Sequence, residues 1–131
     1  MAGSCLASAY TMPMGCVGIL SFVGVGLAAR MSYLRLQGAE GKGDAKSDFE
    51  KWHVRQLLHA EWCALILPTL IAVPLCGIHD CCTNAVMAAV TAGRIAFVTD
   101  APRKIRCSCA GVAYLGMFYL TARVMTSVLS K

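Results

Sequence analysis

Long apolar runs separated by short polar ones set the pattern of this chain. Four runs come near the ~20 residues that a helix needs to cross hydrocarbon. They cover 12–33, 57–78, 85–99 and 107–129. Between the first two lies QGAEGKGDAKS, 37–47, whose glycines and charges predict a flexible polar loop. Ser47 or Asp48 can then cap a helix, and the acids that follow favour its N-terminus. The second helix is expected to begin in water near Phe49 and to enter the bilayer around Leu57. Pro68 and Pro74 interrupt it, each removing an amide donor, which membrane helices tolerate when neighbours satisfy the freed backbone. The expected fold is all-α: one domain over 1–131, an integral membrane four-helix bundle with antiparallel, up-down connections.

Small residues repeat along two of these runs. Gly15, Gly18, Gly24, Gly26 and Ala28 mark the first, and Ala85, Ala89 and Gly93 recur at four-residue spacing in the third. Such repeats let membrane helices approach closely, within one bundle or between subunits.

Composition agrees with a membrane protein. Of 131 residues, 57% are hydrophobic and 15% charged, against about a quarter charged in globular domains. The net charge of +5 is unevenly placed. Arg35, Lys42, Lys46, Lys51 and Arg55 gather around the first loop, 36–56, with Arg30 at its margin, and Arg103, Lys104 and Arg106 lie in the third, 100–106. The N-terminal tail and the second loop, 79–84, hold no Lys or Arg. The positive-inside rule puts both basic loops on the cytoplasmic-equivalent side of an endoplasmic-reticulum or organelle membrane. The charge thus reports topology, and scattered basic residues in short loops without interleaved aromatics argue against nucleic acid as a partner. The N-terminal run has no basic flank before it and is too long for a signal core, so a retained helix is expected.

Cys16, Cys63 and Cys76 fall within spans, Cys81 and Cys82 on the outer side, and Cys107 and Cys109 on the inner. Only Cys5 is then placed to reach Cys81 or Cys82, and the spacing predicts structural thiols with no metal site. His53 and His59 lack a second ligand at metal spacing, which predicts hydrogen-bonding or surface roles, and His79 is expected in a loop. Trp52 and Trp62 are expected as interfacial anchors.

Glu61 is the sole formal charge in 57–78, and Arg94 lies within the third run. A charge at the centre of a membrane helix costs about 2.5–3.5 kcal/mol on insertion scales, so each is expected to face a partner or a polar cavity. Helical rise places Glu61 about 6 Å and Arg94 about 9 Å from the same edge. Two outcomes follow from that matched depth. Either Glu61 and Arg94 form a structural ion pair, or they join Arg30 and Arg106 in an anion-attracting pocket. Arg123 is expected to snorkel outward from the last run.

The stretch FEKWHVRQLLHAEWCALILP resembles the second-helix motif of the MAPEG family, the membrane-associated proteins of eicosanoid and glutathione metabolism. Phe49, Glu50 and Lys51 match its start, Gln56 its polar position, and Glu61 with Trp62 its acid–aromatic pair. GRIAF at 93–97 is similar to the family's third-helix element and places Arg94 on its arginine. The basic segment before the last helix also fits. The likeness runs from about Arg30 to the C-terminus. It implies the same four-helix fold, a homotrimer, and glutathione held by Arg55, Gln56, Glu61 and Arg94. Arg30 or Arg106 would then stabilise the thiolate through positive charge. Three positions depart from the motif: Val54 replaces an arginine, Leu58 an asparagine and Phe97 a tyrosine. Two functions are therefore expected in competition. One is a microsomal glutathione transferase-like enzyme conjugating or reducing lipophilic electrophiles. The other is a non-catalytic accessory or scaffold subunit of a larger membrane complex.

Overall fold

A computed structural model of the chain describes residues 2–37, 43–99 and 102–130, with side chains over 10–37, 46–99 and 102–130. Among the described residues there are four α-helices and no strand: α1 Ala2–Leu36, α2 Gly43–Leu75, α3 Cys81–Val98 and α4 Arg103–Leu129. Each is long and apolar enough to cross a membrane. Residues 38–42 of the expected flexible loop, and the side chain of Cys5, lie outside the described residues.

The boundaries differ from those expected, for local reasons. Helix α2 starts at Gly43, a turn before the expected caps Ser47 and Asp48, so those residues are helical. It stops at Leu75, three residues before the end of the apolar run. Gly77 adopts φ 74°, its amide bonds the Pro74 carbonyl at 3.0 Å, and the Ile78 amide bonds Val73 at 3.2 Å. This is a Schellman stop, and glycine supplies the left-handed residue without strain. Asp80 then caps α3, its carboxylate accepting from the Thr83 amide at 2.8 Å, so that helix begins at Cys81 and not Ala85. Helix α4 begins after Pro102, whose carbonyl accepts from the Arg106 amide at 3.1 Å. Arg103, Lys104 and Arg106 therefore ride on its first turn and not in a loop.

Packing decides the arrangement. Helix α1 packs along α2 and α3, and α4 packs along α3 and α2. Helices α2 and α3 touch only lightly, so these sequence neighbours lie across the bundle diagonal. The main core draws on all four helices, with Leu20, Ile66, Leu70, Met87, Val90 and Leu120 fully buried. A smaller cluster, Met31 and Leu34 against Phe49 and Trp52, joins α1 to α2 at one end. At the other end Asp80 takes a salt bridge from Arg123 and a hydrogen bond from the Thr83 hydroxyl. The Thr83 amide and hydroxyl, then Arg123, hold the Asp80 carboxyl below its usual range. Arg123 thus has a fixed partner and does not simply snorkel.

The small-residue repeats do two different things. A Cβ at Gly93 would stand 2.9 Å from the Cys109 backbone oxygen, and one at Gly116 would collide with Val90. These glycines set the close approach of α3 and α4. Gly15, Gly18 and Gly26 face open space. Gly93→Ala should therefore destabilise the bundle by about 1–3 kcal/mol, because backbone must move to admit the methyl. Gly18→Ala should leave stability unchanged or raise it slightly. Unfolding of the two variants in the same detergent checks this; equal behaviour would refute the role given to Gly93.

Candidate functional site

Arg94 is the centre of the polar interior. It is 1% exposed, although it stands on an apolar helix. Its Nη2 donates to the Leu58 carbonyl of α2 at 3.1 Å, across the diagonal. The guanidinium also lies 4.9 Å from the Trp62 ring and 5.0 Å from Phe97. Arg106, from α4, approaches Phe97 at 5.0 Å as well. Tyr114 meets Trp62 edge-on, with ring centroids 4.3 Å apart. Aromatic faces thus do for Arg94 what a carboxylate was expected to do, at up to about 2 kcal/mol per desolvated cation–π contact.

Glu61 is not that carboxylate. It is exposed on the outer face of α2 and forms no ion pair with Arg94. The helix explains the separation: Leu58 and Trp62 turn towards Arg94, and Glu61, one residue before Trp62, is rotated about 100° away. Matched depth was a poor guide because it ignored rotation about the helix axis.

Next to Leu58 on α2, His59 is 2% exposed. Its Nε2 lies 3.1 Å from the Leu20 carbonyl of α1 and 3.3 Å from the Cys63 sulfur. Gly24 leaves the room, since a Cβ there would come within 3.5 Å of the His59 ring. His59 and Cys63 are one turn apart on one face, a spacing visible in the sequence but without a ligand pattern to mark it.

The remaining expected site residues collect near one end. Arg30 and Arg55 both stack on Trp52, at 5.6 and 4.9 Å. Trp52 is therefore a platform for cations, as Trp62 is, and both are half-buried within the bundle. Arg55 is buried and joins Ser47, Glu50, Lys51, Val54 and Arg106 around a cavity of about 430 Å³. Gln56 is half-buried on α2 and lines neither this cavity nor the next. Further along the same α2–α4 seam, Glu61, Trp62, Leu65, Thr69, Tyr114, Met117, Phe118 and Thr121 line a groove of about 590 Å³. The structure thus brings Arg30 and Arg55 to one ring and Arg55 and Arg106 to one cavity. It puts Glu61 in the neighbouring groove and Arg94 in the interior.

Cys16, Cys63, Cys76, Cys81, Cys82, Cys107 and Cys109 are free thiols. Among the described residues no group of His, Cys, Asp or Glu is placed to hold a metal. No protein-family model, curated protein or solved structure matches this chain.

Since Glu61 and Arg94 do not touch, their removal should be independent. Arg94→Met is expected to cost several kcal/mol, because it removes the donor that ties α3 to the Leu58 carbonyl of α2 and the cation held between Trp62 and Phe97. Glu61→Gln should cost little. Stabilities of the single and double variants should add within about 0.5 kcal/mol. A double variant markedly more stable than that sum would restore the ion pair.

Proposed function

We propose that this chain is a multi-pass membrane protein of MAPEG-like, up-and-down design that holds glutathione at its cationic end and meets lipophilic electrophiles from the bilayer. The observation that carries this reading is the α2–α4 seam, where a cationic cavity is followed by an apolar groove. Glutathione is a small anionic tripeptide with two carboxylates. Lys51, Arg55 and Arg106 offer it positive charge, and arginine suits a carboxylate through its planar, forked donors. Arg55 and Glu61 are six residues apart, about 9 Å along α2. An extended tripeptide spans about 10 Å. A ligand anchored on Arg55 and Arg106 could therefore carry its thiol to the head of the groove.

Chemistry there would be nucleophilic. Positive charge from Arg106 favours the thiolate over the thiol while the sulfur lies on the cavity side of the groove mouth, and Arg30, held on Trp52, lines neither space. A lipophilic electrophile dissolved in the bilayer would slide in past Leu65 and Phe118, which are 64% and 81% exposed. The thiolate sulfur would attack the electrophilic carbon, forming the S–C bond while the leaving group takes the displaced electron pair.

A second reading has its own observations. Val54 lines the cationic cavity where the motif has arginine, and Phe97 is already packed against Arg94 and Arg106. These features favour a scaffold that has lost the chemistry and serves as a subunit of a larger membrane complex.

Calorimetry with glutathione in a neutral detergent separates the two. The enzyme reading expects saturable binding by the wild type, weakened about tenfold or more by Arg106→Ala, since a lost charged contact is worth about 1.5–3 kcal/mol. The scaffold reading expects no binding until Val54→Arg, Leu58→Asn and Phe97→Tyr are introduced together. Micromolar binding by the wild type would end the scaffold reading, and failure of both proteins to bind would end the glutathione reading.

The proposed membrane placement puts the basic segments 36–56 and 100–106 on the cytoplasmic-equivalent side of an endoplasmic-reticulum or organelle membrane. Cys81 and Cys107 are both exposed and belong to opposite sides in that arrangement. An impermeant maleimide added to sealed vesicles should label one of them and not the other. Labelling of both from the same side overturns the topology.

A further inference from the structure

Glu61 has no role in the cationic cavity, yet it stands at the mouth of the adjoining groove. That groove, about 590 Å³, falls in the size range of small-molecule sites. Glu61, Trp62 and Tyr114 form its head, Leu65, Met117 and Phe118 its walls, and Thr69 and Thr121 its far end. From Glu61 to Thr69 is eight residues, about 12 Å of helix. Tyr114 is 60% exposed and Phe118 81%, so the groove opens sideways from the bundle, towards hydrocarbon in a spanning protein.

The head carries a charge that the fold leaves unanswered. Among the described residues no cation pairs with Glu61. Arg94, the partner expected from matched depth, is enclosed by Trp62 and Phe97 and donates inward to Leu58. A carboxylate on the outer face of a membrane helix needs a cation or a hydrogen-bond donor. Apolar walls leading away from it specify the rest of the occupant.

We infer that this groove binds a lipophilic amine, a single-chain amphiphile with an ammonium head. The ammonium hydrogen-bonds the Glu61 carboxylate, a charge-assisted contact of the strong kind. The rings of Trp62 and Tyr114 beside it add attraction for a cation. The alkyl chain lies along Leu65, Met117 and Phe118, and the short groove favours a medium-length chain. A fatty acid of the same length would set a second carboxylate against Glu61. A fatty alcohol would fit but lack the charge. This inference goes beyond the proposed function, since an alkylammonium occupies the groove without being an electrophile for the thiolate. It depends on the groove alone and not on glutathione.

Three probes that differ only in their head group test it: undecylamine, undecanol and undecanoic acid, each brominated at mid-chain so that the bromine lies near Trp62 when the head group is at Glu61. Bromine seated in the groove quenches Trp62 fluorescence. In neutral detergent without glutathione, the amine should quench saturably, at concentrations about tenfold or more below the alcohol or the acid. Glu61→Gln should bring the amine to the level of the alcohol. Leu65→Phe, which keeps Glu61 but narrows the groove, should weaken the amine several-fold, and it serves if Glu61→Gln does not fold. Equal half-saturation for all three probes overturns the inference, as does an amine affinity unchanged in either variant. Preference for the acid also overturns it and would assign the groove to the charge of Arg94. Glutathione calorimetry on the same samples reports separately, so failure of one reading leaves the other standing.

Discussion

The rest of the bundle is arranged around a buried guanidinium with no carboxylate beside it among the described residues. Arg94 is nearly inaccessible, and a charge so placed needs polar or aromatic neighbours, although its Nε has no hydrogen-bond partner among the described residues. The Leu58 carbonyl answers one donor, and the faces of Trp62 and Phe97 answer the charge. Those three groups come from α2 and α3, helices that otherwise scarcely touch. Arg94 is therefore the polar tie across the diagonal. Its rings then bring in α4, through Arg106 on Phe97 and Tyr114 on Trp62. Next to Leu58, His59 ties α2 to α1 through the Leu20 carbonyl.

Around that tie the closeness of the helices is set by side-chain size. Gly93 and Gly116 let α3 and α4 approach until backbone and side chain meet. The helix ends are fixed by separate devices. Gly77 turns the chain out of α2, Asp80 receives it into α3, and Arg123 on α4 locks that corner. The corner is polar and exposed, and the Arg94 interior is aromatic and enclosed. Positive charge is handled differently in each, by a carboxylate where water is near and by aromatic rings where it is not.

One consequence of spending Trp62 and Phe97 on Arg94 is that Glu61 is released to the outside. The α2–α4 seam then has an order: a cationic cavity, an acid with aromatic neighbours, and an apolar trough. A polar ligand and a lipophilic one could occupy adjoining stretches of that seam. That order is what the proposed function draws on.

The sequence by itself determined the four helices, their membrane-compatible composition and the clustering of basic residues around the first and third connections. These follow from runs of apolar residues and from local chemistry, which need no knowledge of neighbours. It also marked Arg55, Arg106, Glu61 and Arg94 as residues to explain. The tertiary structure decided which of them meet. Glu61 and Arg94 have matching depth, but rotation about each helix axis turns one outward and the other inward. Trp52 and Trp62 carry the composition of interfacial anchors, yet packing makes them platforms for Arg30, Arg55 and Arg94. Gly15, Gly18 and Gly93 look alike in the chain, and only Gly93 has backbone against it. The reason is common to all three cases. Spacing along a helix fixes a residue's height and relative angle, but only the packing of four helices fixes what stands opposite that angle.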